Sequence, residues 1–181
     1  GAYTFVDKDN IFYVPKGYKL SSYTDAISDN RLSSIVLKNT FEIPINLRQS
    51  DERIVGLTLT YDGKIVFASN NGLIGLMNRD FTDLKYHQLP ADEEISNSIA
   101  CDENGGIYIV SSKKMYRVQW TGTELTTDED KNGWIADYEF GGMATGIRLG
   151  QGSGSTPTLM GVGNQDKFVV ITDGQDLMHV V

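Results

Sequence analysis

Four unbroken apolar tetrads recur along the chain: Ile11-Phe12-Tyr13-Val14, Ile65-Val66-Phe67-Ala68, Ile107-Tyr108-Ile109-Val110 and Phe168-Val169-Val170-Ile171. Each is rich in β-branched or aromatic residues and too short for a helix, so each reads as a strand covered on both faces. An acidic or amide turn precedes every one: Asp7 to Asn10, Asp62-Gly63-Lys64, Asp102 to Gly105, and Asn164-Gln165-Asp166. Such turns tolerate the positive φ that tight hairpins need. Upstream of each turn lies a strand with small polar residues interleaved, at Tyr3–Val6, Leu57–Thr60, Asn97–Ala100 and Pro157–Met160. Downstream comes a third strand, at Tyr18–Leu20, Leu73–Leu76, Met115–Val118 and Leu177–Val180. A fourth follows in the first three repeats, around Ser34–Ile43, Leu84–Leu89 and Trp134–Phe140. The unit is a four-stranded meander.

The tetrads lead at residues 11, 65, 107 and 168, so successive leads are 54, 42 and 61 residues apart. The middle interval is that of a four-stranded propeller blade, about 40–50 residues. The longer two hold insertions at 25–33, where a helical turn is expected, and at 141–155, which is Gly-rich. A β-sandwich also uses many short strands, but its strands face solvent on one side and should alternate. The tetrads do not alternate, so the expectation is all-β, a β-propeller of four-stranded antiparallel blades. The quasi-blades fall at about 2–45, 53–90, 94–140 and 155–181 within a single domain. The last repeat stops within its third strand, and fifteen strands are read where four blades need sixteen. The expectation is an incomplete part of a larger propeller, with its remaining blades or a second chain as partner.

Charge and cysteine content narrow the function classes. The 24 acidic residues outnumber the 16 basic ones, for a formal net charge of −8. That disfavours nucleic-acid or anionic-membrane binding, which need a basic face. No stretch is apolar for long enough to span a membrane as a helix. A single cysteine, Cys101, allows neither an intrachain disulfide nor a cysteine-cluster metal site. Nineteen glycines and four prolines fit many tight turns.

Asp62 to Ser69 and Gly105 to Ser111 resemble the blade hairpins of quinoprotein-like and calcium-lactonase-like propellers. The stretch from Gly152 to Gly161, with Phe168 to Gly174, is similar to the start of a blade in quinoprotein-like proteins. The resemblance implies a propeller and, through its two families, either calcium-dependent ester hydrolysis or quinone-dependent oxidation. Quinoprotein dehydrogenases carry a docking repeat close to Ala-x-Asp-x-x-Thr-Gly-x-x-x-Trp. Here Trp120 to Leu125 keeps only Thr121-Gly122, so pyrroloquinoline quinone is not expected as a cofactor.

The sharpest local motif runs from Asp128 to Glu139. Asp128, Asp130, Asn132, Gly133 and Glu139 stand at positions 1, 3, 5, 6 and 12 of a calcium-loop pattern, which would make calcium the cofactor. Its flanks read as strands, not helices, and a solvated acidic hairpin turn is the competing reading. The run from Gly150 to Pro157 leads into Thr-Pro and a strand, and so reads as a loop rather than a phosphate cradle. His87 is expected at the surface of an outer strand, His179 as a core or interface histidine, and Cys101 as a small buried hydrophobe. Trp120, Trp134, Tyr108, Tyr116 and Tyr138 gather in one blade, where packing or carbohydrate stacking would use them.

Blade topology puts the loops between second and third strands on the same face as the loops between blades. The first class holds Lys16, Asn70, Asn71, Lys113, Lys114, Asp173 and Asp176; the second holds Arg48 and Arg148. Thr58, Ser98, Thr156 and Thr158 add inner-strand hydroxyls. A ligand is expected at such a mouth, on Asn70, Asn71, Lys113, Lys114, Arg148, Thr156, Asp173 and Asp176. The functional expectation is an exported (periplasmic or extracellular) binding or interaction module for a small polar ligand or a protein partner. A calcium-dependent lactonase or esterase is the first alternative, with Asn97, Asp62, Asp102 and Asn164 as available ligands. A quinoprotein-type oxidoreductase is the second.

Overall fold

The computed structural model describes residues 3–28, 30, 32–141, 152–163, 165–175 and 179–181. The first sheet runs β1 (Phe5–Val6), β2 (Phe12–Lys16), β3 (Lys19–Asp25), β4 (Ile35–Glu42), each strand antiparallel to the next. The second repeats that order with β5 (Ile54–Leu59), β6 (Ile65–Ser69), β7 (Leu73–Met77) and β8 (Lys85–Gln88). In the third, β9 (Ala100–Cys101), β10 (Gly106–Val110) and β11 (Lys114–Trp120) are followed by β12 (Leu125–Thr126) and β13 (Trp134–Asp137), which both pair with β11. The fourth pairs β14 (Thr158–Met160) with β15 (Phe168–Val170), and Thr172 then bridges to Val180. This is an all-β array of successive meanders, as the repeats require.

The hairpins between first and second strands are tied by their own acids. Asp7 accepts hydrogen bonds from the Asp9 and Ile11 amides, both at 2.9 Å; Asp102 accepts from those of Asn104 and Gly106, both at 2.8 Å. In the second sheet the Thr60 hydroxyl does the same for the Lys64 amide. These are side-chain turns that satisfy backbone donors the strands leave unpaired. They also fix the register between repeats. Asp7, Thr60 and Asp102 donate their amides to the carbonyls of Ile11, Lys64 and Gly106. Phe12, not Ile11, is therefore the counterpart of Ile65 and Ile107. A one-residue slip matters, because it moves a side chain to the opposite face.

Two apolar layers hold the array. Tyr13, Leu20, Ile65, Phe67, Leu73 and Met77 pack the first sheet on the second. Val66, Ala68, Ile74, Leu76, Ile107, Ile109 and Val118 pack the second on the third. Fully burying each such side chain contributes about 1.5–3 kcal/mol. A smaller cluster of Tyr108, Val110, Met115 and Ile171 joins the third sheet to Leu159 and Val169.

Three expectations need correction. The tetrads in β6 and β10 are buried throughout, but the first and last are not: Phe12 and Val14 are half-buried and Phe168 is exposed. Among the described residues the outer sheets have a neighbouring sheet on one side only, whereas β6 and β10 lie between sheets. Residues 25–33 form no helix among those described. Strand β3 continues to Asp25, opposite Ile35, and the tip is tied by the Ser33 hydroxyl accepting from the Ile27 amide at 2.8 Å. The sequence reading also missed β12, which is only two residues long and lies against β8 of the preceding sheet.

Candidate functional site

A concavity lies between the third and fourth sheets, on the face of the β9–β10 turn. Its base is a polar knot. One Asp102 oxygen holds the turn; the other accepts from the Tyr108 hydroxyl at 2.8 Å and from Arg117 Nη2 at 3.0 Å. Arg117 Nε donates to the Tyr108 oxygen at 3.0 Å, and Nη1 reaches Gln119 and the Asn132 carbonyl. Gly106 makes room for this knot: a Cβ there would stand 2.5 Å from both Arg117 Nε and Asp102 Oδ2. Burial works to raise the Asp102 pKa, but the donors from Gly106, Tyr108, Arg117 and Asn104 outweigh it and hold the carboxyl below its ordinary range. Burial, then the bond to Asp102, pushes the Tyr108 phenol up. The carboxylate and guanidinium compensate each other, as buried charges must. Every named polar atom is engaged, so the knot positions Tyr108 rather than offering a free acid or base.

Above the knot the cleft encloses about 600 Å³. Tyr108 meets Trp134 edge-on, with ring centres 6.0 Å apart, and Leu159 and Val169 form the facing wall. At the rim Lys167 Nζ lies 2.6 Å from Glu103 Oε1, and Asn104 stands beside them. Apolar walls with a few polar groups at the edge, in this volume range, are the usual make-up of a ligand site. Tyr108 and Trp134 were legible as an aromatic group; the cleft was not.

The mouth expected from blade topology lies where the strand-two-to-three turns meet the linkers between sheets. Asn70 accepts from the Arg53 amide at 2.7 Å and donates to Asp51, while Asn71 donates to Asp51 and Glu52. Lys113 pairs with Asp92, and Lys114 with Asp137 at 2.6 Å. Buried Asp173 holds His179 Nδ1 at 2.6 Å and accepts from the Gln175 and His179 amides. Thr156 is half-buried just before β14. The structure thus pairs Asn70, Asn71, Lys113 and Lys114 with nearby acids and Asp173 with His179; Arg148 and Asp176 lie outside the described residues.

The calcium-pattern residues are not drawn into one cage. Asp128 caps a short 3-10 turn by accepting from the Asp130 amide at 3.1 Å, and Asn132 takes a left-handed conformation at φ 66°. Asp130 and Glu139 are exposed on either side of β13's start and end. Among the described residues, no three His, Cys, Asp or Glu side chains are gathered as metal ligands. The acidic turn is flanked by β12 and β13, and strands do not deliver the final glutamate to the loop as a helix does. Asn97 is buried with its amide oxygen unpartnered, Asp62 is occupied by Thr60 and the Trp120 indole, and Asn164 lies outside the described residues.

His87 is half-buried rather than at the surface, and His179 is exposed rather than in the core. Cys101 is half-buried, and burial pushes its thiol up to about 12, which leaves it inert at neutral pH. No helix among the described residues is long and apolar enough to cross a membrane.

No family model matches the chain. An uncharacterized protein of Archaeoglobus fulgidus is 48% identical over 185 residues, an alignment covering all of this chain and 34% of that protein. The chain therefore spans about a third of the length of that relative. Among solved structures it is similar to a β-propeller chain in the crystal structure of the mitotic checkpoint complex, with a TM-score of 0.55 at 6% identity. That superposition covers 99% of this chain and 47% of the other. At such identity the likeness concerns fold alone, and the fold it shows is that of consecutive blades making up part of a β-propeller.

Proposed function

We propose that the chain is the binding part of a propeller interaction module, and that it takes an apolar side chain of a partner peptide into the cleft between the third and fourth sheets. One observation carries the reading: a concavity of about 600 Å³ walled by Tyr108, Trp134, Leu159 and Val169 opens beside a single rim ion pair, Glu103 with Lys167. An apolar side chain would displace water from the walls, and Asn104 with the ion pair would orient the peptide's polar backbone. The mouth on the opposite face supports this choice indirectly, since its asparagines and lysines already have protein partners.

A synthetic library of short peptides varied at one central position tests the proposal against the immobilised chain. Selection for large apolar central residues is expected, with binding about tenfold weaker in Leu159→Glu, a change of about 1.4 kcal/mol. No selection at the central position, or binding that Leu159→Glu leaves intact, would overturn it.

A further inference from the structure

A small niche lies on the opposite face of the array from the peptide cleft. It forms where the β10–β11 turn, the linker before β9 and the segment before β14 converge, and Glu94, Ser96, Asn97, Ser111, Ser112 and Gly152 line it. Its volume is about 20 Å³, room for one water-sized group. Linker and turn are locked together. The Glu94 amide donates to the Ser112 hydroxyl at 3.1 Å, and the Ser112 amide donates to the Glu94 carbonyl at 2.8 Å. Gly152 forms the third wall. A Cβ there would stand 2.6 Å from the Tyr138 hydroxyl oxygen, 2.7 Å from Ser112 Cα and 2.9 Å from the Ser111 carbonyl oxygen, so only glycine lets the backbone come this close. Tyr138 fastens that wall by donating to the Ser111 carbonyl at 2.5 Å and accepting from the Ser153 amide at 3.0 Å.

Asn97 gives the niche its chemistry. It is 2% exposed, and its Oδ1 has no hydrogen-bond partner among the described residues. A buried amide oxygen is rarely left without a donor, because the free energy of removing it from water is offset only by a new bond. The other lining side chains are acceptors too: the exposed Glu94 carboxylate and the hydroxyls of Ser96 and Ser112. Among the described residues, those lining the niche include no lysine, arginine or histidine. A second carboxylate stands behind the Ser111 wall. Glu93 is 3% exposed and accepts from the Ser111 and Tyr116 hydroxyls, neutral donors that leave its negative charge in place. The occupant that fits is therefore water-sized, rich in N–H donors and positively charged. Calcium takes roughly six to eight oxygens, more than this lining brings together, whereas an ammonium group needs only a few acceptors around it.

We infer that this niche binds the head of a primary alkylammonium ligand, whose nitrogen donates to Asn97 Oδ1 and to the Glu94 carboxylate while its carbon chain leads out of the opening. Charge-assisted bonds of this kind are among the stronger hydrogen bonds, and a buried acceptor strengthens them further. The site shares no lining residue with the cleft around Tyr108 and Trp134, so it stands independently of the peptide reading.

Proton–nitrogen correlation NMR on the full 181-residue chain reads occupancy directly. Butylammonium chloride is titrated beside tetramethylammonium chloride, sodium chloride and sodium acetate at matched ionic strength. Butylammonium should give saturable shifts in the Asn97 side-chain amide and the Ser112 backbone amide, and the other salts should not. Asn97→Leu replaces the unpartnered oxygen by carbon of similar size, so the circular dichroism should be unchanged and binding at least about tenfold weaker. Glu94→Gln, at an exposed side chain, serves as the second probe should Asn97→Leu fail to fold, and it should also weaken binding. Equal shifts with sodium chloride would indicate a metal-ion niche, equal shifts with tetramethylammonium a general attraction, and shifts with acetate alone an anion site. Any of these, no shift with butylammonium, or binding that both variants leave intact would overturn the inference.

Discussion

His87 stands on β8 with its ring half-buried against β12. Burial holds its pKa below the ordinary 6.5, and a hydrogen bond with the Leu125 backbone opposes this only in part. The folded chain therefore binds this proton less readily than the unfolded chain does. Its contribution to stability is complete above pH 6.5 and is lost as pH falls through the lowered folded value. Asp7 and Asp102 also have lowered values: burial acts to raise each, and bonds from Ile11 and Asp9, or from Gly106 and Tyr108, outweigh it. Their contribution persists above the ordinary 3.8 and disappears only below it. Two falls in melting temperature are expected on acidification, the first beginning below neutrality. His87→Gln should flatten the first and leave the second. Thermal unfolding by circular dichroism from about pH 8 to about pH 3 measures both, and a first fall that survives His87→Gln would refute the assignment.

Gly75 shows how one strand accommodates its neighbour. It sits opposite Phe67 across β6 and β7, and a Cβ there would lie 2.2 Å from Phe67 Cζ and 2.3 Å from Cε1. The ring lies over the bare backbone, fully buried, with Phe41 of the first sheet 5.7 Å away. Gly75→Ala should destabilise by about 1–3 kcal/mol through overpacking. In urea this would lower the unfolding midpoint, and Phe67→Leu in the same chain should recover part of the loss. Additive losses in the double variant would show that the two residues do not meet. The elements themselves were legible because Ile65–Ala68 and Ile107–Val110 are short, β-branched and bounded by Asp-containing turns. The face each side chain takes was less so: Ile11 and Phe12 are both apolar, and only the Asp7 amide bond to Ile11 decides which one matches Ile65. The cleft was illegible for a different reason. Leu159 and Lys167 come to Tyr108 and Glu103 through sheet packing, which no local spacing in the sequence encodes.

The array as a whole is covered unevenly, and its stability should follow. Strands β6, β7 and β10 are buried from end to end, and β11 nearly so, between sheets whose side chains interlock on both sides. The first sheet contributes one packed face, and the short β14 and β15 rest on a small cluster around Tyr108, Val110 and Ile171. Opening the fourth sheet exposes little apolar surface, whereas opening β6 or β10 disrupts two interfaces together. Local opening free energies scale with such buried contacts. Amide hydrogen exchange followed by mass spectrometry should therefore find β6, β7, β10 and β11 slowest and β14 and β15 fastest in dilute solution. Equal protection of β15 and β6 in dilute solution would contradict the uneven covering.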